Sequence, residues 1–412
     1  MQKKIIATAV ASVFAAPLAV HAASTVQLYG TVYAEYSSVS AGEGSTSTNK
    51  PVGADILQTP GSAIGFKGEE KLGGGMSAWF QCESTAEIGG VGQNGFCSRN
   101  SAVGLKGGFG NVYIGNWDTP FKRARVGLVG TNDTGIFGNS QLLWLKSTTT
   151  NNGVGSTSNT SSLTSQSDAG VFARRQRQSI NFDLPSMGGL NLGVSFSSAN
   201  TGTNASASDA AAKPRILSLG GTYKSGNLSL GAGWEKHSKV WNNKTFTNSM
   251  DPTAGATVTT TSATVAGDES GYHLSGAYDI GKHQVGFTYT GQTYHPVTAA
   301  GVVNTVKFKA WHLGGKISLS GANSLLVGYT VADSTSGTSG AKSARPTVAT
   351  PANGAKLYQI RFAHAFSKRT TGDVGYVRLA NDVSGTYDLG GYSGTGTGAK
   401  SSAIAMSIKH SF

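Results

Sequence analysis

Sixteen stretches of the chain alternate apolar and polar residues, and the connections between them alternate strictly between short and long. The closing "AIAMSIKHSF" shows the pattern. Phe412, His410, Ile408, Met406 and Ile404 form a mostly apolar file, while Ser411, Lys409, Ser407, Ala405 and Ala403 form a small or polar one. Such a period of two describes a strand with two unlike faces. The short connections fall at residues 71–75, 107–110, 185–189, 225–226, 280–282, 320–322 and 367–369, and long Ser/Thr/Gly/Asn-rich loops lie between them. An even number of antiparallel neighbours, with short turns at one rim and long loops at the other, is the pattern of a membrane-spanning barrel. A soluble sandwich has no reason to segregate its loops, and its Greek-key crossings would break the simple order. The expected fold class is therefore all-β, a 16-stranded antiparallel transmembrane β-barrel with short periplasmic turns and long extracellular loops.

The physics of lipid points the same way. Hydrocarbon satisfies no free N–H or C=O, so a span built of strands must close on itself and leave no edge. About ten residues rising about 3.3 Å each, tilted about 45°, cover roughly 23 Å, near the apolar band of such barrels. Sixteen strands enclose more space than side chains fill, so the lumen holds water. Closure pairs "SSAIAMSIKHSF" with the first strand, "TVQLYGTVYAEY". Phe412 and Tyr294 read as girdle aromatics at headgroup level.

The opening "MQKKIIATAVASVFAAPLAVHA" reads as a secretory signal peptide, residues 1–22, cut after Ala22, with the barrel domain over 23–412. Its apolar run is short and holds Pro17, which argues against a membrane-anchoring helix. Composition agrees with export: 58 glycines and only 13% charged residues. Net charge is +12, or +10 without Lys3 and Lys4. For an exported chain that surplus points to anionic headgroups and anionic solutes rather than to nucleic acid.

Motifs for catalysis are missing from the sequence. It contains no HExxH, no GxSxG and no GxxxxGK[ST]. "GLKGGFG" looks like a phosphate loop, but a strand follows it, so it reads as a hairpin turn. His273, His283 and His312 sit on strands without metal-ligand spacing, and neither an enzyme nor a cofactor is expected.

Several motifs in order, "LYGTVYAEY", "IGFKGEEKLGGGMSAWFQCES", "RNSAVGLKGGFGNVYIGNWDTPF" and the closing "KHSF", resemble the general diffusion porins of β-proteobacteria. The resemblance covers essentially all the strands and is weakest in the loops. It implies a homotrimer in the outer membrane of a Gram-negative bacterium, with the third long loop folded into the lumen. It also implies passage of small hydrophilic solutes and ions, contact with outer-membrane lipid and lipopolysaccharide, and a terminal Phe412 read by the barrel-assembly machinery.

In that family the third loop supplies the constriction. Here it opens "WDTPFKRARVGLVGTNDTGIFGN", carrying Lys122, Arg123 and Arg125 with Asp118 and Asp133 nearby; the competing expectation is that these cations face lipopolysaccharide phosphates or open water. On the wall, parity from Ile180, Phe182 and Leu184 places Arg175, Arg177 and Asn181 inward and Arg174 outward near the loop rim. Arg175 falls where the family has its wall arginine. Parity from Val103 and Leu105 turns Asn100, not Arg99, to the lumen. Ala63 and Asn116 stand where the family has arginine. The expected outcome is a mild anion preference, since selectivity follows bore width and the charges at its narrowest point.

Cys82 and Cys97 are the only cysteines, even in number in an exported chain. A bridge would close a small loop, worth about 3 kcal/mol through the unfolded state; two free thiols are the alternative. In the family this loop latches over the neighbouring subunit. Other readings are a substrate-specific channel of the same fold, a β-barrel lipase or deacylase, for which no outward Ser/His pair is found, and a soluble adhesin.

Overall fold

A computed structural model of the chain describes residues 25–45, 52–88, 95–132, 134–144, 172–197, 215–241, 267–295, 305–337, 352–390, 392 and 396–412. The signal peptide expected over 1–22 and Asp133 lie outside the described residues.

In chain order the strands are β1 (Thr25–Glu43), β2 (Ala54–Gln58), β3 (Ala63–Gly73), β4 (Met76–Thr85), β5 (Ser101–Gly107), β6 (Gly110–Asp118) and β7 (Arg175–Asp183). There follow β8 (Leu190–Ser197), β9 (Arg215–Ser225), β10 (Leu228–Trp241), β11 (Gly267–Ile280), β12 (His283–Tyr294) and β13 (Val306–Ser318). The last are β14 (Asn323–Ala332), β15 (Ser336–Gly337), β16 (Ala355–Ala365), β17 (Thr370–Asn381) and β18 (Lys400–Ser411). The strands pair antiparallel in chain order, except that β2 and β3 both lie on β1, β15 lies on β13 and β14 pairs with β16; β1 pairs with β18 to close the sheet. Two of the eighteen are fragments of longer wall strands. β2 continues the line of β3 along β1 after a one-residue bulge, since Glu35 faces Gln58 while Thr31 faces Ala63. β15 likewise extends the line of β14 along β13. The wall is thus a closed barrel of sixteen strands, as expected.

Short turns tie the periplasmic rim. In the turns after β9 and β11, two residues suffice because Gly226 (φ +52°) and Gly281 (φ +60°) adopt left-handed backbone. Closure ends on Phe412, whose N–H donates to the Gly30 carbonyl and whose carbonyl accepts from the Gly30 N–H, both at 3.1 Å. Its ring covers Gly30, where a Cβ would come 2.4 Å from a ring carbon.

The two faces separate as a barrel in lipid requires. On β16, Tyr358, Ile360 and Phe362 are exposed outward, while Leu357, Gln359 and Arg361 are buried inward. Outward rings form a belt: Trp311 meets Tyr329 edge-on at 5.3 Å, and Tyr329 stacks on Tyr358 at 4.7 Å. Tyr294 does not join it. It is fully buried on the inner wall, its hydroxyl donating to Gln292, because the inward parity of β12 runs through Gly286, Thr288, Thr290 and Gln292.

Towards the extracellular rim the pattern inverts. On β13, Lys307 and Lys309 point outward while Val306 and Phe308 are buried inward. There the inner wall no longer faces water: it packs against loops folded over the lumen.

Candidate pore constriction

The long connection after β6 enters the barrel at once, for local reasons. Thr119 is an N-cap whose hydroxyl accepts from the Lys122 N–H at 3.3 Å, and Pro120 occupies the first turn of α1 (Pro120–Arg123). That single turn buries Phe121 against the wall. The chain then runs along the inner surface as a belt, anchored mostly through its main chain. The Phe121 N–H donates to Ser218 Oγ (3.1 Å), and the Phe121 carbonyl accepts from His273 Nε2 (2.8 Å). Ser275 Oγ donates to the Ala124 carbonyl and accepts from the Val126 N–H, both at 3.2 Å. The Val129 carbonyl accepts from His312 Nε2 (2.8 Å). Further on, Gln359 Nε2 donates to Thr131 Oγ1 (2.8 Å) and Arg361 Nη1 to Asn132 Oδ1 (3.2 Å). At the far side the Ile136 N–H donates to the buried Glu35 carboxylate at 2.7 Å. The belt thus passes from β9 to β1 through β11, β13 and β16.

The return is apolar. Ile136, Phe137, Leu142, Leu143 and Trp144 are all buried, the last three in α2 (Ser140–Trp144). Trp144 meets Phe121 edge-on at 5.6 Å and His273 at 5.7 Å. Phe172 stacks on His237 at 4.7 Å, and His237 is held between Glu235 (2.7 Å) and Glu269 (2.5 Å). The last long loop joins in: the Asp388 N–H donates to Gln141 Oε1 at 2.8 Å.

Four residues singled out in the sequence come together where the belt begins. Lys122 Nζ lies 2.9 Å from Asp118 Oδ1, and Arg175 Nε lies 3.5 Å from the same oxygen. Asn100 completes the cluster, its Oδ1 accepting from Arg175 Nε (2.8 Å) and from the Asp118 N–H (3.1 Å). Arg123 does not join them. It forks onto Asp183 on β7, with Nη2–Oδ1 at 2.7 Å and Nη1–Oδ2 at 3.1 Å. Burial works against the Arg123 charge, but the hydrogen bonds and proximity of Asp183 outweigh it and raise its pKa above the ordinary guanidinium value. Arg125 donates from Nε to the Lys122 carbonyl at 2.8 Å and lays its guanidinium 5.5 Å from the centre of the Trp144 ring. Of these charges, four cations stand against two carboxylates.

Two parity expectations need correcting. Arg177 points out of the barrel, and Gln176 takes the inward place, its Nε2 donating to Ser197 Oγ at 3.1 Å. The cause is a bulge between the β6 pairs of Ser179 and Gln176, with Gln178 at φ +50°, which shifts the period by one residue. Arg177 then lies near the extracellular end of its strand, where an outward arginine costs about 0–1 kcal/mol. Arg174 is buried rather than outward, since Ala173 at φ +57° turns the chain before the strand begins. Ala63 faces inward without charge, and Asn116 Nδ2 donates to the Ser98 (2.8 Å) and Arg99 (3.0 Å) carbonyls. Cys82 and Cys97 are joined by a disulfide.

The sequence reading did not single out Asp183, Glu35, Ser218, Ser275, His273 or His312 as loop anchors. A signal was present. Inward parity, already assigned to Asn181, carries two residues on to Asp183, and it places both histidines on the lumen side.

Comparison with known proteins places this architecture. The major outer membrane protein P.IB of Neisseria meningitidis serogroup B is 40% identical over 124 residues, covering 30% of this chain and 35% of that protein. P.IB of Neisseria gonorrhoeae is 39% identical over 125 residues, covering 30% and 34%. The chain thus spans about a third of the length of these curated relatives. An anion-selective porin from Comamonas acidovorans superposes with a TM-score of 0.64 at 19% identity, covering 94% of this chain and all of that one. The trimer form of OmpT from Vibrio cholerae gives 0.59 at 14% identity, covering 95% and 100%. These two share the barrel fold. The family described as Gram-negative porin matches residues 7–386, and the chain belongs to that family.

Proposed function

We propose that the chain is a general diffusion porin of the Gram-negative outer membrane, a water-filled channel for small hydrophilic solutes and ions with a mild preference for anions. The observation that carries the reading is the belt of loop 3 on the inner wall, which presents Lys122, Arg123 and Arg125, with Arg175 behind them, against Asp118 and Asp183. Two unit charges about 4 Å apart interact by about 4 kcal/mol at an effective dielectric near 20 and by about 1 kcal/mol in water. A wetted constriction lies between, so a small surplus of cations biases ion flow several-fold without trapping anions. The anion selectivity named for the Comamonas acidovorans porin supports the sign.

Partners follow from the outer surface. Lys307, Lys309 and Lys356 point outward just above the tyrosine belt, at the depth where lipopolysaccharide phosphates would meet them. A homotrimer is supported by the trimeric form of the V. cholerae neighbour, with the bridged loop at Cys82 and Cys97 latching a neighbouring subunit. The exposed Phe412 at the closing seam is the feature that barrel-assembly machinery would read.

The zero-current potential across a planar bilayer in a KCl gradient tests selectivity. A modest shift toward the chloride potential is expected, and a shift toward potassium overturns that clause. Saturable block of the current by one solute would favour a substrate-specific channel instead.

A further inference from the structure

Where the loop 3 belt touches the wall, the wall is glycine. On β9 and β10, Gly220 and Gly233 face each other in register, and on β12 and β13 so do Gly286 and Gly314; all four turn inward with Gly231. A Cβ on Gly220 would lie 2.1 Å from the Pro120 carbonyl oxygen, and one on Gly231 1.9 Å from that of Ala124. On Gly314 it would lie 1.8 Å from the Val129 carbonyl oxygen, and on Gly286 2.4 Å from a Val129 methyl. Ordinary contact begins near 3.4 Å. The hydroxyls and imidazoles that bond the belt, on Ser218, Ser275, His273 and His312, stand beside these glycines on the same face.

Outward glycines meet no belt backbone. A Cβ on Gly315 or on Gly276 of β11 would meet the side chain of Val327 or Leu230 at 3.4 Å, and the closer approaches at Gly221 (2.7 Å) and Gly291 (2.6 Å) are to the side chains of Leu192 and Tyr272. Glycine in a strand interior weakens the strand, so its placement calls for a reason. Here the reason on the inner face is backbone lying against backbone.

We propose that Gly220, Gly231, Gly286 and Gly314 form a bed that sets how deeply loop 3 lies in the wall, and so determine the bore and the solute cut-off without contributing any charge. This rests on the channel reading above. Adding one methyl at Gly314 must lift the Val129 carbonyl by about 1.5 Å, and because packed groups do not compress, the belt moves toward the axis. The bore narrows while the constriction keeps its charges.

The test compares Gly314→Ala with Gly315→Ala, neighbours on one strand facing opposite ways, as purified full-length proteins in planar bilayers. Gly314→Ala is expected to lose roughly a fifth to a half of its single-channel conductance, with an earlier cut-off for neutral sugars. The sign of its zero-current potential is expected to stay unchanged, and Gly315→Ala to match wild type. If Gly314→Ala does not fold, Gly286→Ala is read instead: the Val129 methyl it meets at 2.4 Å can turn aside, while the Gly127 carbonyl oxygen, at 2.6 Å rather than 1.8 Å, still lifts the belt by a smaller step. Wild-type conductance and sugar cut-off in the folded inward variant overturn the proposal, as does an equal loss in Gly315→Ala. Failure of the channel reading is separate: it shows as wild-type protein that carries no current.

Discussion

The two halves of loop 3 hold to the wall in opposite ways. Residues 118–125 anchor mainly through their main chain, to Ser218, His273 and Ser275, with Arg123 clamped on Asp183, which leaves Lys122 and Arg125 to set the local charge with it. Residues 136–144 anchor mainly through side chains, burying Ile136, Phe137, Leu142, Leu143 and Trp144 with Phe172 in a small apolar core. One segment thus carries charge on a rigid track, and the other supplies the adhesion that keeps the track in place. Charge and adhesion should therefore be separable by mutation.

The largest effect is expected from the adhesive half. Trp144→Ala removes a fully buried indole that touches Phe121 and His273, a truncation that costs about 3–5 kcal/mol in well-packed sites. Its thermal unfolding temperature should fall, and its open-channel current should become noisy as the belt loosens. A quiet, wild-type current would break the comparison. Next comes the far tip. Glu35→Ala leaves the Ile136 N–H, the Gln58 amide and the Tyr33 hydroxyl without their buried acceptor, at a cost of about 1–3 kcal/mol. Flickering closures at moderate voltage, scored against wild type, would register the loss of that latch. The smallest change in stability belongs to the charged half. Arg125→Glu should move the zero-current potential toward potassium by the equivalent of about 1 kcal/mol, with the unfolding temperature nearly unchanged. Marked destabilisation without a change in selectivity would mean that Arg125 serves the Trp144 stack more than the ions.

The strands were legible because lipid imposes a period of two and because glycines mark six of the seven periplasmic turns, all but residues 367–369. Asn100 was legible for the same reason, whereas Arg175, beyond the bulge, was legible through the family motif. Legibility stopped where the period breaks. At Gln178 one left-handed residue shifts the register and turns Arg177 out, and no local composition announces it. Above the apolar band the pattern inverts, with Val306 and Phe308 buried on the inner face and Lys307 and Lys309 outward, an exchange the period of two alone does not announce. Loop 3 has no period at all, and its course was written instead in the inward glycines and histidines of strands distant in sequence. The family resemblance placed the loop in the lumen, but it carried no sign that Arg123 leaves the cluster for Asp183.

The central claim is that the sheet closes around water, with loop 3 lying on its inner wall. Recording single insertions of the purified protein into planar bilayers tests it most directly. The account predicts discrete, ohmic current steps whose size rises in proportion to salt concentration, as in a continuous aqueous path. Bilayers that stay silent at saturating protein, or steps that saturate at low salt, would contradict it.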